Sequence, residues 1–209
     1  MDFGLAGRHC FVTGASAGIG RGTALALARE GALLSIAGRD ESALAATREM
    51  IVAQGASVLG IIACDLSDPS GIDAAAVAIA RAERPIEVLI NNAGGGRPYN
   101  LDAPLDSAAW DEAINLNFTA ARRLAESALP AMRRSRWGRI ITITGALALK
   151  RMNAATPAKA AIASWSRALS IQVAAEGITV NCVAPGRINS EQVLNRLFPR
   201  RRSAVARSS

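Results

Sequence analysis

Aromatic residues are scarce in this 209-residue chain: four phenylalanines, three tryptophans and one tyrosine. The apolar half is mostly alanine, leucine, isoleucine and valine, which suits helices packed closely on a buried parallel sheet. Only three cysteines are present (Cys10, Cys64 and Cys182), far apart, with no CxxC pair and each in an apolar run. That spacing argues against a disulfide framework or a metal site and predicts three buried free thiols. No stretch approaches the roughly 18 consecutive apolar residues of a membrane helix. The opening MDFGLAGRHCFVTG has too short an apolar run for a signal peptide. The expectation is a soluble cytoplasmic protein without a membrane partner. The net charge of +7 suggests nucleic acid, but its distribution does not: Arg196, Arg200, Arg201, Arg202 and Arg207 all follow the last acid, Glu191. Such a tail attracts anions nonspecifically, so no nucleic-acid partner is expected.

What the chain does contain is an alternation of short β-type runs and longer helical patterns, the signature of a parallel sheet with crossover helices. Strands are expected at 9–13, 33–37, 57–64, 87–91, 138–144 and 178–183. Between them, a helix runs from the Gly-rich turn to about Gly31, and Asp40 caps another reaching about Gln54. Further helices are expected at 72–82 and 107–134. The last begins near Thr156-Pro157, a cap residue followed by proline in the first turn. Its apolar face carries Ile162, Trp165, Leu169 and Val173 at helical spacing. The reading is one α/β domain over 1–198, a Rossmann-type doubly wound α/β/α sandwich whose mostly parallel sheet has about six strands. Residues 199–209 read as an unstructured basic tail.

The sharpest local signal is Thr13-Gly14-Ala15-Ser16-Ala17-Gly18-Ile19-Gly20, set between a strand and a helix. Glycines there let the backbone turn tightly and approach a pyrophosphate, and the helix N-terminus offers unpaired N–H groups and a positive dipole end. Gly14, Ser16, Ala17, Gly18, Ile19 and Gly20 are therefore candidate cofactor contacts. Strand two ends Ala37-Gly38-Arg39, where an acid would accept a hydrogen bond from a free ribose 2′-hydroxyl. Gly38 supplies no acid and Arg39 can pair with a 2′-phosphate, so NADP(H) is favoured over NAD(H). A solvated loop arginine is the alternative reading of Arg39.

With these residues in view, the chain resembles the short-chain dehydrogenase/reductase family. The loop has that family's TGxxxGxG spacing. Cys64-Asp65-Leu66 looks like its acidic residue and neighbour beside the adenine. Asn91-Asn92-Ala93-Gly94 matches its NNAG segment, Asn117 falls at its catalytic-helix asparagine, and Pro185-Gly186 resembles its cofactor-facing turn after strand six. The match runs in order from about Leu5 to Ser190. The resemblance implies a seven-stranded doubly wound fold, a homodimer or homotetramer, and Asp65, Leu66, Asn92, Ala93, Gly94, Lys159, Pro185 and Gly186 as further cofactor contacts. In this family the two long helices commonly form a dimer interface.

The chain departs from that pattern where the chemistry is done. Typical members use a serine, a tyrosine and a lysine, the last two spaced YxxxK; the tyrosine is the general acid, and the lysine holds the nicotinamide ribose. Lys159 fits the lysine, but Ala155 stands four residues before it and Gly145 falls at the serine. Thr144 is the nearest hydroxyl. Tyr99, in the loop after strand four, substitutes only if that loop folds inward. Lys150, Arg151 and Asn153 are donors in the intervening segment, or simply solvated. The candidate catalytic residues are Asn117, Thr144 and Lys159. The chain also stops about forty residues short of typical members, and its ending reads as a truncation or frame change. The expected consequences are an exposed edge on strand six, an open substrate cleft and weaker stability. Three functions remain open: an NADP(H)-dependent oxidoreductase acting on a small carbonyl or alcohol with a non-standard acid, a catalytically silent NADP(H)-binding or scaffold protein, and an inactive truncated product.

Overall fold

The computed structural model of the chain describes residues 2–145 and 152–186. Lys150, Arg151 and the tail expected at 199–209 lie outside the described residues. In chain order the elements are β1 (His9–Thr13), α1 (Gly18–Arg29), β2 (Leu33–Gly38), α2 (Glu41–Val52), β3 (Val58–Ala63), α3 (Pro69–Ala80) and β4 (Val88–Asn91). There follow α4 (Ser107–Ile114), a widened π-type turn (Asn115–Thr119), α5 (Ala120–Ser135), β5 (Gly138–Ile143), α6 (Ala155–Val173) and β6 (Ile178–Val183). The six strands form one parallel sheet in the order β3-β2-β1-β4-β5-β6. After β3 the chain returns to the other side of β1, so the winding reverses between β1 and β4. That switch point opens a crevice beyond the carboxyl ends of the strands. This is the doubly wound α/β fold expected from the sequence.

β1 and β4 are buried along their whole length because helices cover both faces. On one face Cys10, Val12, Leu34 and Ile36 meet α1 and α2. α1 buries Gly20, Ala24 and Ala28, small residues one turn apart that let the helix lie close to the sheet. On the other face Phe11, Leu89 and Ile140 pack with Ile72 and Ile79 of α3 and with Leu124 and Met132 of α5. Ile162 and Val173 of α6 are buried as expected, with Trp165 and Leu169 partly so. Burial pushes the Cys10 thiol up to about 12 and raises that of Cys64, so neither is a ready nucleophile.

Several element ends differ from the sequence expectation. α3 starts at Pro69, before Ile72, because the Asp68 carboxylate accepts from Ser70 N (2.8 Å) and Pro69 needs no partner at the first position. α6 starts at Ala155, where Asn153 Oδ1 rather than Thr156 accepts the helix's first N–H at 3.0 Å. The stretch 107–134 is interrupted by the π-type turn, since one extra residue hardly disturbs an apolar period. Cys182 is exposed, not buried: β6 is the terminal strand among the described residues, and its second half is uncovered. No helix among the described residues is long and apolar enough to cross a membrane.

Candidate active site

The turn after β1 is held from three sides. Gly14 has a φ of +64°, and a Cβ there would stand 2.8 Å from Asn92 Nδ2. At Gly20 a Cβ would stand 2.1 Å from the Gly14 carbonyl oxygen, so α1 presses directly on the turn. Asn92 Nδ2 donates to the Thr13 carbonyl (2.9 Å), while Thr13 Oγ1 accepts the N–H of Asn92 (3.0 Å) and of Ala93 (2.9 Å). These bonds clamp the end of β4 to the end of β1. From the far side the buried Thr47 hydroxyl lies between the carbonyls of Ala43 (2.9 Å) and Ala15 (3.1 Å), and Arg21 donates to the Ser16 carbonyl and, at 3.1 Å, to Thr47 Oγ1. The loop is thus preorganised by the protein's own groups.

α1 is unusual in how it begins. Helices α2, α3 and α4 each start under an aspartate, Asp40, Asp68 or Asp106, whose carboxylate accepts first-turn N–H groups. At α1 the cap position is Ala17, which has no side-chain acceptor. The first-turn donors of Gly18, Ile19 and Gly20 therefore face the crevice with the positive end of the helix dipole behind them. A pyrophosphate fits that demand in charge and in donor geometry.

Farther along the rim, Ser16 Oγ lies 3.3 Å from where a Cβ at Gly38 would be. Asp65 Oδ1 accepts from the Ser67 N–H (2.9 Å) and hydroxyl (2.7 Å), and its other oxygen lies 3.8 Å from Arg39 Nη1. Both partners are largely open to solvent, with side-chain exposures of 60% and 44%, so the ion pair is weak and easily exchanged. Leu66 is buried beside them. Pro185, half-buried, and the exposed Gly186 follow β6.

At the opposite end of the crevice the structure gathers Asn117, Thr144 and Lys159 against Gly94. A Cβ at Gly94 would stand 3.1 Å from Asn117 Oδ1 and 3.4 Å from Lys159 Nζ. Asn117 is buried in the π-type turn; its amide donates to the carbonyls of Ala113 (2.9 Å) and Gly95 (3.2 Å) and accepts from Gly95 N (3.2 Å). Lys159 Nζ donates to the Thr144 carbonyl at 3.0 Å, and desolvation by burial lowers its pKa. The Thr144 hydroxyl donates to the Val183 carbonyl at 3.2 Å, so its proton is already engaged. Ala155 is buried and brings no polar side-chain atom. Among the described residues, a Cβ added at Gly145 would meet only Lys159, at 3.8 Å from Cδ and 4.0 Å from Nζ.

The segment after β4 also crosses to the start of α6, which the sequence reading did not anticipate. Arg97 N donates to Asn153 Oδ1 (3.0 Å), Ala154 N to the Arg97 carbonyl (3.1 Å) and Tyr99 N to the Met152 carbonyl (3.1 Å). The available signal was the flexible Gly94-Gly95-Gly96 run facing an isolated asparagine. The Tyr99 ring stands edge-on to Trp110, with ring centres 5.6 Å apart. Among the described residues no three His, Cys, Asp or Glu side chains gather as a metal site would need.

Comparison with known proteins agrees with this architecture. Residues 8–198 match the family model described as short chain dehydrogenase. The chain is similar to the (2S)-[(R)-hydroxy(phenyl)methyl]succinyl-CoA dehydrogenase subunit BbsD of Thauera aromatica, at 35% identity over 90% of this chain and 75% of that protein. It is similar also to the 3-oxoacyl-[acyl-carrier-protein] reductase FabG of Escherichia coli (strain K12), at 34% identity over 88% of this chain and 75% of that one. Among solved structures, the L-sorbose reductase of Gluconobacter frateurii, complexed with NADPH and L-sorbose, superposes with a TM-score of 0.88 at 29% identity. That match covers 97% of this chain and 78% of the reductase.

Proposed function

The chain belongs to the short-chain dehydrogenase family, and on that premise we propose an NADP(H)-dependent oxidoreductase that interconverts a carbonyl and an alcohol on a small molecule. The observation that carries this reading is the uncapped start of α1 behind a turn already pinned by Asn92, Thr13 and Arg21. Those donors face the same crevice that holds a half-buried lysine at its other end.

In this reading Gly14, Ser16, Ala17, Gly18, Ile19 and Gly20 receive the pyrophosphate, and Asp65 and Leu66 border the adenine. Asn92, Ala93, Gly94, Pro185 and Gly186 line the nicotinamide side, where Lys159 holds the ribose. Arg39 takes the 2′-phosphate by exchanging its weak bond to Asp65. The NADPH present in the Gluconobacter frateurii reductase supports that choice. When bound, the dinucleotide supplies or removes a hydride. Asn117 fixes the Gly95 backbone beneath the substrate, and Thr144 contributes a hydroxyl only if it gives up Val183. The domain reading, 1–198, is kept. An assembly of two or four copies is proposed through α4–α5 and α6, where Ile171 presents a 76%-exposed apolar side chain.

A specific observation favours a second reading, a silent NADP(H) binder: Gly145 and Ala155 replace both side-chain hydroxyls of the family's usual site. The test is a titration with NADPH and with NADH. It follows energy transfer from Trp110, Trp137 or Trp165, with circular dichroism to verify folding. Saturable binding, tighter for NADPH, and turnover on a carbonyl panel are expected. Binding without turnover selects the silent binder, and no binding by a folded chain removes both readings.

A further inference from the structure

Of the 24 basic residues only Lys150 and Lys159 are lysines; the rest are arginines. An arginine stays protonated at any working pH, whereas a desolvated ammonium readily exchanges its proton. A lysine thus stands, half-buried, at the basic position beside Gly94 and Thr144 in the described crevice. Among the described residues its Nζ donates to a single acceptor, the Thr144 carbonyl, of the three that an ammonium can serve. Ala155, one helical turn earlier on the same face, and Gly145 bring no side-chain oxygen or nitrogen to it.

Among the described residues, the side-chain protons gathered beside Lys159 are committed: the Thr144 hydroxyl donates to the Val183 carbonyl and the Asn117 amide to the Ala113 and Gly95 carbonyls. We propose that Lys159 is itself the proton donor to the substrate oxygen, and the acceptor in the reverse direction, a role that rests on the oxidoreductase reading above. As the carbonyl carbon gains the hydride, the C=O π pair moves to oxygen and forms an O–H bond with a Lys159 proton. The N–H bond breaks, a neutral amine remains, and water re-protonates it. Burial of the ammonium brings its proton affinity nearer to working pH, where a general acid is most effective. The lost tyrosine is then replaced by the residue that in its relatives stands behind it.

Having two lysines makes the test direct. In a chain labelled with 13Cε-lysine, two side-chain signals titrate, and the Lys159→Arg variant assigns them. Lys159 is expected to titrate below the ordinary lysine value. In wild type, the rate of single-turnover NADPH oxidation, with a panel including acetoacetyl-CoA and 9,10-phenanthrenequinone, should fall as pH rises, with its midpoint at that of Lys159. At saturating NADPH, Lys159→Arg keeps a cation but not an exchangeable proton, so hydride transfer should fall by about 10²-fold or more. Titration of Lys159 at the ordinary lysine value, a rate midpoint elsewhere, or an unchanged rate in Lys159→Arg would overturn the proposal. If the variant does not fold, the wild-type comparison of midpoints decides alone. NADPH binding with no turnover on the panel removes the donor role and leaves the silent binder. No binding at all removes the oxidoreductase reading, and the donor role falls with it.

Discussion

The two ends of the crevice follow different rules. At the proposed nucleotide end, around Gly14–Gly20, the groups offered to a ligand are backbone N–H donors, and side chains such as Asn92, Thr13, Thr47 and Arg21 only fix where those donors point. At the catalytic end, around Gly145 and Ala155, the family pattern relies on side-chain hydroxyls, and they are gone. Binding built from backbone geometry depends on the absence of side chains, whereas acid–base chemistry depends on their presence. A sequence can therefore keep one and lose the other, and within one fold the nucleotide site says little about turnover.

The largest effect should come from breaking the backbone end. Gly20→Ala places a methyl 2.1 Å from the Gly14 carbonyl oxygen, a contact that only displacement of α1 relieves. Overpacking of this kind costs about 1–3 kcal/mol or more, so NADPH binding should weaken by about 10²-fold. Tryptophan energy transfer measures it, and unaltered affinity in a folded variant would refute the close-approach argument. At the other end, Gly145→Ser adds a hydroxyl at a position where no described residue stands nearer than 3.8 Å to the new Cβ. A donor aimed at developing negative charge should raise NADPH turnover about tenfold with NADPH affinity unchanged. Equal turnover would mean that the substrate oxygen does not lie beside position 145. Arg39→Ala should cost NADPH about tenfold in affinity and leave NADH unaffected, a modest effect because the side chain is solvent-exposed. Parallel titrations read it, and equal losses for both cofactors would count against a 2′-phosphate contact.

How far the sequence could be read divides along the same line. Strand limits came through because β1 and β4 are buried on both faces and read as continuous apolar runs, and Asp40 announced α2 through its own capping chemistry. Asn153 did not announce α6, since Thr156-Pro157 offers the stronger local pattern while the long-range Arg97 contact places the asparagine. The π-type turn that seats Asn117 is likewise set by packing, with the asparagine amide taking up the Ala113 carbonyl. Nor does spacing reveal that the Thr144 proton goes to Val183, because that bond joins residues 39 apart. Motifs report what the backbone must do locally; which side-chain protons remain free is decided by distant partners.

The smallest expected effect lies at the other end of β1 from the Gly14–Gly20 turn, where the strand begins. His9 opens β1, buried, with Nδ1 2.8 Å from the Arg84 carbonyl and Nε2 2.8 Å from Ser35 Oγ. Desolvation by burial lowers its pKa below the ordinary 6.5, outweighing the Arg84 carbonyl, which raises it. The unfolded chain therefore takes up a proton at a pH where the folded chain does not. The stability His9 contributes is intact above about pH 6.5 and is lost as pH falls from there through the lowered folded-state pKa. The capping carboxylates Asp40 and Asp68 stay ionised in that window, because their hydrogen bonds hold them below the usual 3.8. Thermal unfolding of wild type and His9→Gln at pH 7.5 and 5.5 isolates the effect, since glutamine keeps hydrogen-bonding capacity without titrating. Wild type should lose more stability on acidification than the variant, and NADPH affinity at pH 7.5 should be the same in both. Equal acid sensitivity would show that His9 is protonated without penalty, and that the nucleotide end rests on a less rigid base than its hydrogen bonds imply.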